Sequence, residues 1–373
     1  MKDDHRFLAS KVRPDYEQAS NPILVADLFS GCGGLTVGLA EAARAVGRGI
    51  YVALAVDFDT EISKVYAANF PKARVETCGV EEIFDGGLGE PLTPNEQEWC
   101  RRVGPIDVLQ GGPPCQGHSD LNNHTRRNDP RNEFYERMAR AAEVLRPHVV
   151  IIENVPPVRN DRGQVVDRAT KALEAAGYSV ADAVVSFLGI GVPQRRRRHT
   201  VLATRDLDID AGEVLENLVG GPERDLRWAI GDLEDIDEPE GLDVPSRISP
   251  ANASRIDWMF ENNAYDLDNS KRPVCHQGDH SYLSMYGRLR WNEPAQTMTS
   301  GYGSMGQGRY VHPSQPRTLT PHEAARIQFF PDWFDFTAGA ALMKRGTWAT
   351  MIGNAVPPKL TIELGRLLMP HLR

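Results

Sequence analysis

Apolar and polar positions in the first half of the chain alternate between two textures. Continuous apolar runs at Ile23–Leu28, Tyr51–Val56, Ile106–Gln110 and Val149–Ile152 read as strands buried on both faces. Between them, apolar residues recur at helical spacing over Leu35–Val46, Glu61–Phe70 (Ile62, Val65, Tyr66) and Glu133–Leu145 (Phe134, Met138, Leu145). Strand–helix alternation of this kind predicts a doubly wound α/β sheet. Weaker strand runs follow at Ala181–Phe187 and Thr200–Ala203, and a helix-period segment, Lys359–Leu368, comes near the end. Between 206 and 320 the periods fade into Pro, Gly, Asn and acidic residues, which predicts loops and short strands. There is no internal repeat and no low-complexity tract.

The chain has 373 residues, 41% hydrophobic and 25% charged, enough for one large or two smaller soluble domains. It contains no run of apolar residues long enough to span a bilayer and no apolar signal-peptide centre near its start. Five cysteines without a CxxC pair form no disulfide framework, so the expectation is a reduced, cytoplasmic protein. The net charge of −9 is uneven: residues 206–243 carry a net −12, which leaves the remainder at +3. Basic residues gather at Arg126–Arg140 and Arg195–Arg198. A phosphate backbone responds to local charge, although a charge run is more often a solvated face.

Four chemical signals sit at the C-terminal ends of the four strand runs: "DLFSGCGG" (27–34), "VDFD" (56–59), "GGPPCQ" (111–116) and "ENV" (153–155). Ligands of open α/β sheets bind outside those ends. The glycine turn permits close backbone approach, but it is not GxGxxG and so argues against a nicotinamide cofactor. Asp57 is positioned to accept the hydroxyls of an adenosine ribose; Phe58 is suited either to stacking on adenine or to the core. Cys115 follows two stiffening prolines in a polar loop, a setting for a reactive thiol rather than a buried structural one. Glu153 and Asn154 close an apolar run and are followed at once by Pro156-Pro157, an unusual end for a strand without chemistry.

With "DLFSGCGGL", "VDFD", "GGPPCQGHS", "ENV", "QRRRR", "RTLTPHEAARIQFFPD" and "GNAVPP" in this order, the chain resembles the DNA (cytosine-5)-methyltransferases over most of its length. The resemblance implies an S-adenosylmethionine-dependent, Rossmann-like sheet in residues 1–205 and 338–373, with a smaller, irregular target-recognition domain in 206–337. It implies a specific double-stranded DNA sequence as substrate, with the target cytosine flipped from the duplex. Cys115 would attack C6, Glu153 would serve N3, Asn154 would fix the loop, Arg198 would hold the cytosine O2 and Arg196 would support the catalytic loop. Phe29, Ser30, Gly31, Gly33, Gly34, Asp57, Phe58, Asn354 and Val356 would hold S-adenosylmethionine. Gln116, Ser119, Arg131, Gln194 and Thr297 would meet DNA.

Two positions depart from the family pattern. The Asp that usually meets the adenine amino group has no counterpart near Gly79; the Cys78 or Gly79 backbone serves instead, or Glu81 or Glu82 does. His118 stands where an aromatic residue is usual. A tRNA-directed relative would carry a Cys-Phe-Thr element, which is missing, and an amino-group methyltransferase would place an aromatic after Pro-Pro. A non-catalytic relative would not be expected to retain Cys115, Glu153 and Arg198 together. The Cys275, His276 and His280 group lacks a fourth ligand, so no metal is expected. The acidic 206–243 run is expected to face away from DNA. The remaining expectations are a monomer without membrane association, nucleoid-associated in a prokaryote, and a restriction-modification context in which a cognate endonuclease is not required for activity.

Overall fold

The computed structural model describes residues 2–17, 21–114, 134–218, 220–277, 285–338 and 343–372. Its centre is a seven-stranded sheet built from β1 (Ile23–Leu28), β2 (Ile50–Asp57), β3 (Val75–Thr77), β4 (Val108–Gly111), β5 (Val149–Asn154), β6 (Ser179–Ser186) and β8 (Arg197–Thr204). A separate parallel pair joins β7 (Gln194–Arg195) to β9 (Ala295–Gln296). The order in the large sheet is β3-β2-β1-β4-β5-β8-β6. All pairings are parallel except those of β8, which runs antiparallel to both β5 and β6. The strand order reverses between β1 and β4, and that is where a doubly wound sheet opens its ligand crevice.

Four of the strands follow the apolar runs closely. β4 starts two residues later than its run because Asp107 intervenes. Its carboxylate accepts the Leu24 N–H at 2.8 Å and so takes the place of a ladder carbonyl. β3, three residues long and only partly buried, has no apolar signature. β5 runs two residues further than the apolar pattern, through Glu153 and Asn154, which pair with Thr200 and His199 of β8.

Helices cover both faces. Helix Gly34–Ala45 is buried on nearly every side because helix Lys359–Leu368 lies against it. The approach is so close that a methyl group at Gly38 would overlap the Pro358 carbonyl oxygen, and Thr361 Oγ1 donates to Leu35 O at 2.6 Å. Helix Lys359–Leu368 thus returns to the large sheet. On the other face, helix Phe134–Leu145 packs Tyr135 and Met138 with Val150, Ile152 and Val201.

The 206–320 region is more ordered than its composition predicts. Helix Pro250–Glu261 begins with Ser249 capping Asn252 N and Pro250 in its first turn, but buries only Ile256 and Met259, too few to reveal a period. Those two residues join Leu267, Tyr286, Met305 and Val311 in a small core of their own. By contrast, Leu226, Ile230, Leu319, Ile327 and Phe330 belong to the main core. Two carboxylates of the acidic run, Asp232 and Asp243, help to fix this junction. Asp232 and Asp332 grip the buried Arg326, and Asp243 and Asp332 accept from the two ring nitrogens of His322, at 2.7 and 2.9 Å. That double contact pushes the His322 pKa to about 9 despite burial.

Candidate active site

The sheet register brings the expected site residues into one row. Leu28 pairs with Val56 on one side and Gly111 on the other, and Gly111 pairs with Ile152. The next residue along each strand is therefore Phe29, Asp57, Gly112 or Glu153. A register shift between Val25 and Ala26 in the β1–β2 ladder sets this alignment. Each strand delivers its chemistry at the same height, on either side of the switch point.

On the β1–β2 side, the turn after β1 uses positive φ at Phe29, Gly31 and Gly33. The first is a strained conformation for a residue with a side chain. Phe29 packs on Phe134 with ring centroids 5.7 Å apart. Gly31 has open space around it, and its N–H donates to Asp57 Oδ2 at 2.9 Å. Ser30 N–H donates to Val56 O at 3.0 Å. Asp57 also accepts from Asp59 N at 3.0 Å; burial raises its pKa, and these backbone donors pull it back. Phe58 is 73% exposed, so the core alternative for it falls away. At Gly33 a side chain would stand 3.0 Å from the Phe70 ring, and at Gly34 it would overlap the Val356 carbonyl oxygen. The "GNAVPP" segment is thus seated directly on the glycine turn, with Asn354 exposed at the end of helix Arg345–Asn354.

These features fit S-adenosylmethionine. Helix 34–45 begins with no side chain capping its N–H groups, beside an open glycine turn, a carboxylate and an exposed aromatic ring. The adenine-side alternatives narrow. Gly79 N–H is bonded to Glu82 Oε1 at 2.7 Å, so both are used in capping the short helix Val80–Ile83.

On the β4–β5 side, Glu153 is buried and forms an ion pair from Oε1 to Arg198 Nε at 2.9 Å. Burial pushes its carboxyl upward, opposed by Arg198 and Arg196. Gly112 leaves room for it: a side chain there would stand 3.3 Å from Glu153 Oε2 and 3.6 Å from the Val356 side chain. Asn154 lies on the opposite face of the same strand. Its Nδ2 donates to Pro113 O at 3.2 Å, holding the chain two residues before Cys115. Cys115, Gln116, Ser119 and Arg131 themselves, with His118, lie outside the described residues.

The four arginines of "QRRRR" divide. Arg195 and Arg197 are exposed, whereas Arg196 is buried and donates to Met298 O at 3.1 Å and Ala355 O at 3.2 Å. Gln194, expected at the DNA, is fully buried. It donates to Ile327 O at 3.0 Å and Gln328 Oε1 at 2.6 Å and accepts from Met298 N at 3.1 Å. Its amide is spent inside the protein, so a DNA contact is not open to it in this structure. Thr297 Oγ1 donates to Arg195 O at 3.0 Å, which holds β9 to β7. The residues the sequence did not single out are Gln328, which bonds Ile352 O at 2.6 Å and Ala355 O at 3.2 Å, and the carbonyls of Met298 and Ala355. They tie the "TM", "QRRRR" and "GNAVPP" segments into one knot, and no spacing in the sequence indicates it.

The geometry agrees with comparisons to known proteins. The family model for C-5 cytosine-specific DNA methylases matches residues 23–369. The chain belongs to that family. It is 42% identical to the Type II methyltransferase M1.BsuMI of Bacillus subtilis over 97% of this chain and 84% of that protein. It is 30% identical to the Type II methylase M.HgiDII of Herpetosiphon aurantiacus, over 94% of each. Among solved structures, the S. pombe Dnmt2 methyltransferase superposes with a TM-score of 0.63 at 15% identity, over 94% of this chain and 99% of that one, a likeness of fold. This protein is therefore a DNA (cytosine-5) methyltransferase, which transfers a methyl group to C5 of cytosine in DNA. No described helix is long and apolar enough to cross a membrane. No group of His, Cys, Asp and Glu among the described residues could hold a metal. His276 Nδ1 contacts the Tyr286 hydroxyl at 2.6 Å, and His280 lies outside the described residues.

Proposed function

We propose that the enzyme takes its methyl group from S-adenosylmethionine and acts on a cytosine flipped out of double-stranded DNA, through a covalent bond between Cys115 and C6. One observation carries this reading: Glu153, in the same row as Asp57, is buried and paired with Arg198, while its neighbour Asn154 anchors the entry to the Cys115 loop. Bound S-adenosylmethionine supplies an electrophilic methyl group. Phe29, Ser30, Gly31, Gly33, Gly34, Asp57, Phe58, Asn354 and Val356 are the residues assigned to hold it.

C6 of neutral cytosine resists a thiolate. A proton delivered by Glu153 to N3 draws electron density from the ring, and the Cys115 thiolate then adds to C6 as the C5–C6 double bond opens. The electron pair arriving at C5 would take the methyl group as the methyl–sulfur bond breaks, its electrons staying on sulfur as a neutral thioether. Loss of the C5 proton and then of the Cys115 thiolate restores the double bond, and Glu153 recovers the N3 proton. Glu153 must hold a proton near neutral pH, and burial favours this. Arg198 opposes it until the base arrives. Drawing the guanidinium onto the cytosine O2 weakens one of the two charges that oppose protonation of Glu153, so base entry itself favours the acid form. Arg196 acts by fixing the Met298 and Ala355 carbonyls around this strand.

Residues 206–337 are assigned to target recognition, with the part built around the small core of Ile256, Met259, Leu267 and Tyr286 as the reading surface. Gln116, Ser119, Arg131 and Thr297 are assigned to DNA, in a monomer that acts in the cytoplasm without an endonuclease bound, as half of a restriction-modification pair. The test is to incubate the protein with methyl-tritiated S-adenosylmethionine and double-stranded DNA. Label should enter DNA cytosine, vanish with Cys115→Ala, and stay off a tRNA control. DNA with 5-fluorocytosine at the target, which has no C5 proton to release, should trap a stable protein–DNA adduct. Full transfer by Cys115→Ala, or absence of the adduct, would overturn the covalent mechanism.

A further inference from the structure

Beneath the glycine turn lies a polar cluster that the reaction does not use. Asp27, in β1, is fully buried. Its Oδ2 accepts from Thr36 Oγ1 at 2.6 Å, Gln110 Nε2 at 3.2 Å and the Tyr66 hydroxyl at 3.4 Å. Thr36 Oγ1 in turn lies 2.8 Å from the Tyr66 hydroxyl and accepts from Gln110 Nε2 at 2.9 Å. Every donor hydrogen of the three partners is thereby spent on Asp27 Oδ2 and Thr36 Oγ1. Asp27 Oδ1 and Gln110 Oε1 are buried and have no donor among the described residues. The cluster is short of hydrogens, not of acceptors.

The electrostatics point the same way. Among the described residues, the groups facing Asp27 are Thr36 from helix 34–45, Tyr66 from helix Thr60–Asn69, Gln110 from β4, Asp57 from β2 and the Cys32 thiol from the turn. None is a cation. An ionised carboxylate here would be desolvated without a counter-charge, next to a second carboxylate. Burial pushes the Asp27 pKa up to about 7 and keeps the Tyr66 phenol well above its ordinary value, so the phenol stays neutral.

We propose that Asp27 is an undissociated carboxylic acid, a positioning residue whose proton keeps β1, the start of helix 34–45 and Tyr66 locked together under the turn that receives S-adenosylmethionine. The inference rests on the cofactor reading above. Tyr66 connects the cluster to that turn, because its ring stands 3.1 Å from where a Gly33 side chain would begin. When Asp27 loses its proton, one more negative charge is buried beside Asp57, which holds Gly31 N–H, and the turn loosens. Cofactor affinity should therefore be full below neutral pH and decline as pH rises through the Asp27 pKa.

Calorimetric titration of S-adenosylmethionine into the full-length wild type, Asp27→Asn and Asp27→Ala over about pH 6 to about pH 9 tests this. Asp27→Asn, which stays neutral and carries a donor, should match the wild type at the acid end. It should then hold its affinity where the wild type loses several fold. Asp27→Ala should bind weakly throughout. An Asp27→Asn profile parallel to the wild type, or a tenfold loss at the acid end, would overturn the proposal. Infrared spectroscopy gives a readout that needs no cofactor: the wild type should show the carbonyl stretch of an undissociated acid that titrates away near neutrality and is missing from Asp27→Asn, which sets it apart from any band of Glu153. Its absence would also overturn the proposal. A wild type that shows this band but binds no S-adenosylmethionine would instead sink the cofactor reading and leave Asp27 protonated.

Discussion

Replacing Arg198 by alanine separates the charge chemistry of the site from its packing. Arg198 Nε stands 2.9 Å from Glu153 Oε1, and Glu153 is buried. At an effective dielectric near 20 the pair attracts by about 6 kcal/mol, and removing one partner of a buried pair costs ~3–5 kcal/mol because the other charge is stranded. Proton uptake sets a ceiling. Protonating a glutamate of pKa about 4.3 at about pH 7.5 costs ~4 kcal/mol, and the carboxyl takes that route if stranding costs more. Arg198→Ala should thus lose ~3–4 kcal/mol near neutral pH.

The sign of the pH dependence follows from the direction of the shift. Without Arg198 the folded-state pKa of Glu153 rises further above its unfolded value. The native variant then holds a proton that the unfolded chain releases, so its stability falls as pH rises from the unfolded pKa upward. The deficit relative to wild type should shrink by ~1.4 kcal/mol for each pH unit of acidification. Urea unfolding of wild type, Arg198→Ala, Glu153→Gln and the double variant measures this. Glu153→Gln should cost only ~1 kcal/mol, since Arg198 keeps some solvent contact, and the double variant should resemble it. Methyl transfer should be lost in all three. A pH-independent deficit in Arg198→Ala, or a double variant as unstable as Arg198→Ala, would refute a buried, charge-paired Glu153.

Two further outcomes are expected. Gly34→Ala should push the Val356 carbonyl off the glycine turn, at ~1–3 kcal/mol of stability with a larger loss of cofactor affinity; Gly346→Ala, with open space around it, should leave both unchanged when calorimetry compares them. His322, held by Asp243 and Asp332, has a folded pKa near 9 against about 6.5 unfolded, so its stabilisation is complete below the unfolded value and is lost as pH rises through the folded one. Thermal melts of the wild type should fall over that interval by the equivalent of up to ~3 kcal/mol, and His322→Gln should flatten the decline.

The sequence by itself determined the fold class and the polar residues that end the central strands. The central strands of a doubly wound sheet are dry on both faces, so they must be written as apolar runs. Any carboxylate, amide or glycine turn at their ends stands out, as Asp57, Glu153 and the 29–34 turn do. Phe58, Gln194 and Asp27 were not legible in that way. A local pattern does not reveal that Phe58 would be exposed, that Gln194 would turn inward to Gln328, or that Asp27 would lie among neutral donors with one oxygen unmet. Those outcomes depend on partners as far apart as Gln194 and Gln328, or Asp27 and Gln110, and on register. Hydrophobic periodicity records which face of an element is buried. It carries no record of which residue from another element arrives there. Only the closed tertiary structure decides where a buried polar group finds its hydrogen bond, and which charge it meets.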